Sequence, residues 1–221
     1  MLKDVFSSII DALFPSKLKC VSCGREAVTD ERGLCVDCVM GLEGFISAPP
    51  LDNIKDYTAA YIYNEVTSRP VKRLKYNGSK YLSEFLADSI SLPEDWNIDA
   101  VVPVPLYYKR EFKRGFNQSE LIAKRLCKRT GLPFKPELLI KRKDTKQQAK
   151  LSEAGRRRNL KAAFIADASC KGMNLLIVDD VRTTGATLSE CAKELKRLGA
   201  NDIYAATVCF AKPRGKAGYD G

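Results

Sequence analysis

Two carboxylates and a threonine-rich bend follow one another in the run Leu175-Leu-Ile-Val-Asp179-Asp180-Val-Arg-Thr183-Thr184-Gly185-Ala186-Thr187. The continuous apolar residues before Asp179 are typical of a buried parallel strand. Ligands of open α/β sheets bind outside the carboxyl ends of such strands. We therefore expect a ligand site here, where the strand ends and a turn can orient both Asp179 and Asp180 toward the same ligand.

The bend after the acids has the composition of an anion site. It consists of Thr183, Thr184, Gly185, Ala186 and Thr187, and it leads into a predicted helix. The free backbone N–H groups and the dipole of a helix start attract a phosphate, and Gly185 lets the backbone approach it without a Cβ. Carboxylates also accept hydrogen bonds from a ribose diol. The run therefore predicts a ribose 5-phosphate site, and it is not a Walker loop because the Gly-Lys-Ser/Thr ending is absent.

A helix cap is the simpler alternative for this run. Asp and Thr residues commonly cap a helix that follows a strand, which would account for one acid and one threonine. A cap does not account for two acids, three threonines and a glycine in this order. The ligand site is therefore the favoured interpretation.

The composition limits the chemistry further. The 221 residues contain no histidine, which excludes Ser-His-Asp and Cys-His catalysis and every His-ligated metal site. Hydrophobic residues make up 45% and charged residues 29% of the chain, so it can bury a substantial core. Any reaction must use carboxylates, hydroxyls, lysines, arginines, backbone amides or a metal held by oxygen or sulfur.

Four of the eight cysteines form two matched pairs. Cys20 and Cys23 make one C-x2-C pair, and Cys35 and Cys38 make the other after eleven intervening residues. Four thiolates at this spacing can surround one tetrahedral Zn²⁺ and leave no coordination position open, so we expect a structural zinc. Two disulfides or a redox pair are the alternatives, and neither suits a reducing cytoplasm. The other four cysteines are scattered and are interpreted as ordinary small residues.

The middle of the chain is strongly basic. The segment from Lys109 to Lys161 contains 18 basic and five acidic residues, whereas the whole chain has a net charge of +10. Clustered Lys and Arg attract polyanions, so we expect a phosphate-rich partner; a surface that serves only solubility is the alternative. The aromatic residues interleaved with these charges are Tyr107, Tyr108, Phe112 and Phe116. They could stack on the bases of a nucleic acid or pack in the core.

Alternating strands and helices predict an α/β domain with a mainly parallel sheet flanked by helices. The predicted strands are 57–63, 99–103, 174–178 and 203–210, and the predicted helices are 69–76, 81–90, 119–129 and 186–198. Pro49-Pro50 lies in a loop-like stretch, so we expect an N-terminal unit over 1–48, a main domain over 49–211 and a loose tail over 212–221. The charged segment 144–158 has no apolar period and is expected to form a loop.

The first residues carry an apolar stripe at spacings of three and four, formed by Leu2, Val5, Phe6, Ile9, Ile10 and Leu13. We expect a short helix that docks on its own domain or on a partner. Peripheral association with a membrane is a weaker alternative, because the polar face lacks Lys and Arg. No segment reaches the roughly 18 apolar residues needed to span a bilayer, and no signal peptide is evident. We therefore expect a cytoplasmic protein.

Several stretches resemble one protein family. The run from Leu175 to Thr187 is similar to the phosphoribosyl-pyrophosphate (PRPP) signature of type I phosphoribosyltransferases. The resemblance narrows to the ComF family of competence-related proteins, and covers roughly 14–210, because of further matching residues. These are Pro103-Val104-Pro105, Arg110, Arg114-Gly-Phe-Asn-Gln118, Thr145, Gln148, Leu151, Arg156, Asn159, Phe164, the four-cysteine segment and Leu74-Lys75-Tyr76-Asn-Gly78.

The resemblance implies a type I phosphoribosyltransferase fold with a small N-terminal zinc module. It also implies that Asp179 and Asp180 bind the ribose hydroxyls and are the catalytic candidates, and that 183–187 binds the 5-phosphate. The turn over 102–107, which includes Val104, would form the pyrophosphate loop, with Arg110 and Arg114 available for the diphosphate. The segment 144–159, which includes Gln148 and Arg156, would close over the substrate and exclude water.

The resemblance implies two classes of function. One is a PRPP-binding protein involved in DNA uptake beside an ATP-driven DNA translocase. The candidate contacts to single-stranded DNA are then Lys109, Arg110, Lys113, Arg114 and Arg157. The alternative is a phosphoribosyltransferase in which Mg²⁺ stabilises the pyrophosphate leaving group, or a PRPP sensor without turnover. The chain shows no signature for an acceptor base or amine, so the sequence leaves open whether it is an enzyme.

Overall fold

The computed structural model describes residues 19–144 and 163–212. The predicted N-terminal helix, most of the predicted substrate-covering segment and the tail after Lys212 lie outside the described residues. Three candidate site residues also lie outside them, namely Gln148, Arg156 and Arg157.

Strands and helices alternate along the described chain. The strands are β1 (Asp56–Ile62), β2 (Ala100–Pro103), β3 (Leu139–Lys141), β4 (Phe164–Ala166), β5 (Leu175–Arg182) and β6 (Ile203–Phe210). The α-helices are α1 (Val36–Met40), α2 (Glu65–Asn77), α3 (Leu82–Asp88), α4 (Tyr108–Arg114), α5 (Gln118–Thr130) and α6 (Ala186–Arg197). Short 3-10 turns cover Pro136–Leu138 and Ala168–Cys170.

The main sheet is parallel and has the strand order β1-β6-β5-β2, which confirms the predicted fold class. Leu175 of β5 pairs with Ile203 of β6 on one side and with Ala100 of β2 on the other. Every residue of β6 is buried, because helices cover both faces of a parallel sheet. The internal strand β5 therefore delivers Asp179 and Asp180 to the carboxyl edge of the sheet.

Helices pack on both faces of this sheet. On one face, Leu74 of α2 and Ile122 of α5 pack in the same cluster as Val178. On the other face, Leu188 of α6 packs in the same cluster as Ile177. The apolar residues of β5 thus alternate between two cores, and the two acids that follow are contacted by α5 and α2, the helices of the first face.

Helix α2 begins at Glu65, four residues before the predicted start. Asn64 accepts a hydrogen bond from the Thr67 N–H at 3.0 Å, and the Thr67 hydroxyl accepts one from the Asn64 N–H at 2.9 Å, which forms a capping box. Pro70 lies inside the helix and cannot donate to the carbonyl of Val66. The hydroxyl of Ser22 donates to that carbonyl instead, at 2.8 Å.

The four-cysteine segment is fixed to α2 by this and further contacts. Nη1 of Arg73 donates to the Val21 carbonyl at 3.0 Å, and Nδ2 of Asn64 donates to the Gly41 carbonyl at 2.9 Å. A Cβ on Gly41 would lie 2.6 Å from Cγ2 of Val66, so only glycine fits this approach. The segment is thereby anchored to the helix that also carries a charged residue of the candidate site.

The prediction that the strand ends at Val178 is wrong. The ladder between β5 and β6 continues as far as Arg182, which pairs with Phe210. The two acids therefore lie within a strand rather than in a turn. A buried strand tolerates the charge of Asp180 because Lys75 forms an ion pair with it.

Helix α4 and strands β3 and β4 were not predicted from the sequence. Helix α4 has no buried residues, so its sequence has no apolar period to reveal it. Strands β3 and β4 form a small antiparallel pair, in which Ile140 lies opposite Ile165. In this pair Lys141 lies opposite Phe164, and both strands contribute residues to the same core cluster as Ile177.

Candidate functional site

Asp179 and Asp180 are bound by different helices. Oδ1 of Asp179 accepts hydrogen bonds from Oγ of Ser119 at 2.6 Å and from the Asp180 N–H at 2.9 Å. Oδ2 of Asp180 lies 2.8 Å from Nζ of Lys75. Asp180 is 3% exposed, whereas Asp179 is half-buried. Helices α5 and α2 therefore each orient one acid, and Asp179 is the more accessible of the two.

The two carboxyls differ in their affinity for a proton. Burial and the charge of Asp180 raise the pKa of Asp179 to about 7, against the opposing effect of the Ser119 hydrogen bond. Burial alone would raise the pKa of Asp180 as well, but the charge and hydrogen bond of Lys75 outweigh it and hold that pKa below its ordinary value. At neutral pH, Asp180 is thus ionised and Asp179 is partly protonated.

The threonine-rich bend joins β5 to the start of α6. Gly185 is the N-terminal cap of α6 and has φ of 80°, a left-handed conformation that favours glycine. The Thr184 hydroxyl accepts a weak hydrogen bond from the Ala186 N–H at 3.4 Å. Thr183 is exposed, while Thr184, Ala186 and Thr187 are half-buried. The structure therefore places helix-start N–H groups and hydroxyls directly after the two acids.

The linker over 49–53 covers part of this bend. A Cβ on Gly185 would overlap Cδ2 of Leu51 and would lie 3.3 Å from Nε of Arg182. Beside Leu51, a cleft of about 260 Å³ is lined by the linker, by Thr184 and by one side of α6 that includes Lys193. An apolar side chain therefore lies against the predicted phosphate loop, and a ligand that used the space above Gly185 would have to displace it.

The turn after β2, predicted to be the pyrophosphate loop, is held by a buried polar network. Nδ2 of Asn117 donates to the carbonyl of Val104 at 3.0 Å, and Oδ1 of Asn117 accepts from the Ser119 N–H at 3.1 Å. Arg114 donates to Oε1 of Gln118 one turn away. Since Ser119 also binds Asp179, this network connects the turn at Val104 to the first acid.

Arg110 lies near two charged residues at the start of the undescribed segment. Its Nε is 2.7 Å from Oδ1 of Asp144. Burial lowers the pKa of Lys141 on β3, and the charge of Arg110 acts in the same direction, whereas Asp179 and Asp144 oppose them. Lys141 is therefore a titratable group within electrostatic range of Arg110, Asp144 and Asp179, at the edge of the candidate site.

Lys75, Ser119 and Lys141 join the site without having been predicted from the sequence. Lys75 is 105 residues from Asp180, and Ser119 is 60 residues from Asp179, so no local pattern connects them. The sequence offers only an indirect signal for two of them. Lys75 lies within the family-like stretch Leu74-Lys75-Tyr76-Asn-Gly78, and Ser119 directly follows the family-like stretch that ends at Gln118.

The four paired cysteines form one cluster. The sulfur atoms of Cys20, Cys23, Cys35 and Cys38 lie within 4.8 Å of one another, and those of Cys23 and Cys35 are 3.8 Å apart. Zn–S bonds of about 2.3 Å in a tetrahedron place the sulfur atoms about 3.8 Å apart. Three of the thiols are buried, and the donor set contains sulfur only. The cluster could therefore hold a metal ion such as Zn²⁺.

Helix α4 presents aromatic and basic side chains to solvent. Phe112 is 91% exposed and Tyr108 is 63% exposed. Lys109 and Lys113 are exposed beside them, and the exposed ring of Tyr76 lies 5.7 Å from the Arg114 guanidinium. We call Tyr76, Tyr108, Lys109, Phe112 and Lys113 the α4 surface.

Not every aromatic candidate lies on this surface. Phe116 packs in the core with α3 and α5, so its core interpretation is the right one, and Tyr107 is half-buried against Tyr108. Phe112 and Tyr108 are thus the aromatic candidates of the basic segment that remain available for stacking.

The fold and the candidate site together define a class. The internal strand of the parallel sheet carries two acids near its carboxyl end, and a hydroxyl-rich bend leads from it into a helix. Open α/β proteins bind their ligands at this edge of the sheet. The family model described as "Phosphoribosyl transferase domain" matches residues 82–219. The chain therefore belongs to the phosphoribosyltransferase domain family.

Within that family, the chain is similar over most of its length to competence proteins. It is 30% identical to Competence protein ComFC of Bacillus subtilis over 198 residues, which cover 83% of this chain and 76% of that protein. It is 27% identical to Competence protein F of Haemophilus influenzae over 219 residues, which cover 84% and 93%. DNA utilization protein YhgH of Salmonella typhi is 39% identical over 111 residues, which cover 50% and 49%. The chain is thus a ComF/ComFC-like phosphoribosyltransferase-domain protein.

Among the helices of residues 19–144 and 163–212, none has the length and apolar character that crossing a membrane requires.

Proposed function

We propose that this protein binds PRPP, or a related ribose 5-phosphate, at the carboxyl end of β5. One observation carries this proposal. The two acids lie near the carboxyl end of the internal strand β5, and the bend that follows this strand leads directly into the start of α6. Asp179 and Asp180 accept hydrogen bonds from the ribose hydroxyls, and the N–H groups of 183–187 bind the 5-phosphate. Membership of the phosphoribosyltransferase domain family supports this ligand class.

The surrounding residues prepare the acids for such a ligand. Lys75 keeps Asp180 ionised, so that it accepts hydrogen bonds from a hydroxyl, while Asp179 can give up its proton as the ligand binds. We assign the diphosphate to Arg114 and to the Val104 turn, which Asn117 and Ser119 connect to Asp179. Bound Mg²⁺ supplies neutralisation and orientation of that diphosphate.

A thermal shift experiment tests this binding site. PRPP with Mg²⁺ is expected to raise the melting temperature by several degrees, because a ligand that binds only the folded state stabilises it. The double substitution Asp179→Asn and Asp180→Asn should remove the shift. Substitution of the exposed Asp95→Asn is the matched control and should leave it unchanged. An unchanged melting curve for the wild-type protein would overturn the proposal.

Turnover is a separate question from binding. Transfer would displace pyrophosphate from the anomeric carbon of the ribose, which requires a bound acceptor. Pyrophosphate release in the presence of a panel of bases and amines measures it. Release with one acceptor, lost in Asp179→Asn, would make the protein a transferase; release with none while PRPP still binds would favour a binding or sensing role.

We further propose that the α4 surface binds single-stranded DNA. Phe112 and Tyr108 offer exposed rings for base stacking, and Lys109 and Lys113 offer contacts to phosphates. Relatives of the chain are named competence proteins and a DNA utilization protein. Together these observations favour a role in DNA uptake, beside a DNA translocase.

Binding of a fluorescent single-stranded oligonucleotide at several salt concentrations tests this surface. Affinity should fall steeply as salt rises, because lysine contacts release counterions from the phosphates. Lys109→Ala with Lys113→Ala should reduce the salt dependence, and Phe112→Ala should weaken binding with little change in that dependence. Lys171→Ala with Arg197→Ala is the charge-matched control elsewhere on the surface. Wild-type affinity in both α4 variants would refute the assignment.

We propose that the cysteine cluster holds a structural Zn²⁺ and that 1–48 forms a module beside the main domain 49–211. Four thiol ligands leave no open position for catalysis, and the anchoring of the segment to α2 supports a scaffolding role. All eight cysteines are free, which supports a reducing, cytoplasmic setting. Elemental analysis should find one zinc per chain, and none after Cys20→Ser with Cys35→Ser.

A further inference from the structure

Arg182 carries unmet hydrogen-bonding capacity directly before the bend. It is 3% exposed, and its guanidinium carbon lies 4.3 Å from the centre of the Tyr57 ring and 5.2 Å from that of Phe210. Nη2 donates to the carbonyl of Pro49. Nε and Nη1 are buried without a partner, and no other buried side-chain nitrogen or oxygen of the described residues is in that condition.

Such a group is costly for a fold to retain. A buried donor without an acceptor loses its hydration, and the cost is greater for a cation. The ring faces of Tyr57 and Phe210 offset part of this cost, but no atom within 19–144 or 163–212 accepts a hydrogen bond from Nε or Nη1. The neighbours of Arg182 are two ring faces and one carbonyl rather than a carboxylate. Nε and Nη1 can therefore donate hydrogen bonds to a bound anion that is not part of the protein.

The unmet nitrogen atoms lie next to the bend and under the linker. Nε of Arg182 is 3.3 Å from the position that a Cβ on Gly185 would occupy, and Cδ2 of Leu51 overlaps that position. Leu51 belongs to the same linker as Pro49, which Arg182 binds. The start of α6, the partly satisfied guanidinium and an apolar side chain therefore meet at one point.

We propose that Arg182 is a cationic contact for the phosphoryl group at the bend, in addition to the N–H groups of 183–187. Until that group binds, Leu51 occupies the space above Gly185 and the Pro49 carbonyl binds Arg182. This inference rests on the proposed ribose 5-phosphate site and adds a specificity residue to it. On binding, the linker 49–53 moves away from Gly185, and Arg182 exchanges the Pro49 carbonyl for phosphoryl oxygens. A guanidinium suits this exchange, because it presents several N–H donors to a phosphate at once.

The exchange predicts opposite effects for substitutions of the two residues. Arg182→Met should weaken binding of ribose 5-phosphate by about tenfold or more, since it removes charged hydrogen bonds to the ligand. Leu51→Ala should tighten binding by about threefold or more, since less must be displaced. The controls are Ile54→Ala, directly after the linker but not against Gly185, and Arg129→Met, an exposed arginine on α5. Both should bind as the wild type does.

Hydrogen exchange of the wild-type protein gives a readout that does not depend on any variant folding. Ribose 5-phosphate should slow amide exchange in 183–187 and, at the same time, speed exchange in 49–55. Because replacing a buried cation by an apolar residue is often neutral or stabilising, Arg182→Met should also fold without a loss of melting temperature.

The possible outcomes separate the two proposals. If ribose 5-phosphate and PRPP fail to protect 183–187, the proposed site itself is wrong. If 183–187 is protected while exchange in 49–55 is unchanged or slower, the displacement of the linker is refuted. Wild-type affinity in Arg182→Met, measured by calorimetry, would overturn the role of Arg182.

Discussion

The cysteine cluster and the proposed ribose phosphate site differ in how they are assembled from the chain. The cluster takes all four ligands from the short stretch between Cys20 and Cys38, at spacings that local turns can satisfy. The acid pair instead needs partners that are 60 and 105 residues away. A site of the first kind can form as soon as its metal binds, whereas a site of the second kind forms only when the sheet and its helices have packed.

Removal of the proposed Zn²⁺ should have the largest effect, and the effect should remain local. Structural zinc contributes about 10 kcal/mol or more in isolated zinc modules, so Cys20→Ser with Cys35→Ser should unfold the module. The main domain should stay folded, because its two cores contain none of the four cysteines. Amide exchange resolves the two regions: 20–41 should lose protection while β5 and β6 keep theirs. Loss of protection throughout the chain would show that the two regions are one folding unit.

The same contrast explains what the sequence could and could not predict. The strand over 203–210 was predicted with its observed limits because all its positions are buried and nearly all are apolar. The end of β5 was missed because its last residues are polar. Only the folded protein shows that Lys75 and the rings of Tyr57 and Phe210 compensate for them.

Within the candidate site, the acids and the bend could be predicted as a unit because they are contiguous. Their positioning residues could not, since Lys75 and Ser119 reach them only through tertiary packing. The contact of Leu51 with Gly185 could not be predicted either, because nothing in the linker sequence indicates it.

Loss of the ion pair between Lys75 and Asp180, which are 105 residues apart in the sequence, should give the next largest effect. Lys75→Met leaves Asp180 buried without its counter-charge, and removal of one partner of a buried ion pair costs about 3–5 kcal/mol. Urea unfolding should therefore show a large loss of stability in Lys75→Met. Adding Asp180→Asn should recover much of it, since the double variant has no unpaired charge. A single variant within about 1 kcal/mol of the wild type would mean that the pair is not a structural requirement.

The proton on Asp179 predicts how stability depends on pH. Because burial and the charge of Asp180 raise the pKa of Asp179 to about 7, the folded protein holds this proton where the unfolded chain has lost it. The contribution of Asp179 to the free energy of unfolding therefore decreases as pH rises from about 4 to about 7 and then levels off. Asp179→Asn does not titrate, so its stability relative to the wild type should increase across that range.

Thermal melts of the two proteins at a series of pH values measure this difference. The exposed Asp95→Asn is the control and should track the wild type at every pH. A constant difference between Asp179→Asn and the wild type from pH 4 to pH 8 would contradict the shifted pKa.

The smallest effect should come from the single hydrogen bond between α5 and the first acid. Ser119→Ala removes a donor at 2.6 Å from Asp179, which should cost about 1 kcal/mol of stability. The substitution should also raise the pKa of Asp179, because the Ser119 hydrogen bond favours the ionised carboxylate. Carboxyl NMR of Asp179 should therefore show a pKa further above its ordinary range than in the wild type. Ser83→Ala, which removes a buried hydroxyl bonded to the Lys80 carbonyl at 2.7 Å, should cost a similar amount of stability and leave the titration of Asp179 unchanged. An unshifted titration in Ser119→Ala would show that the Ser119 hydrogen bond does not influence the pKa of Asp179. The site would then depend less on residues distant in sequence than its geometry indicates.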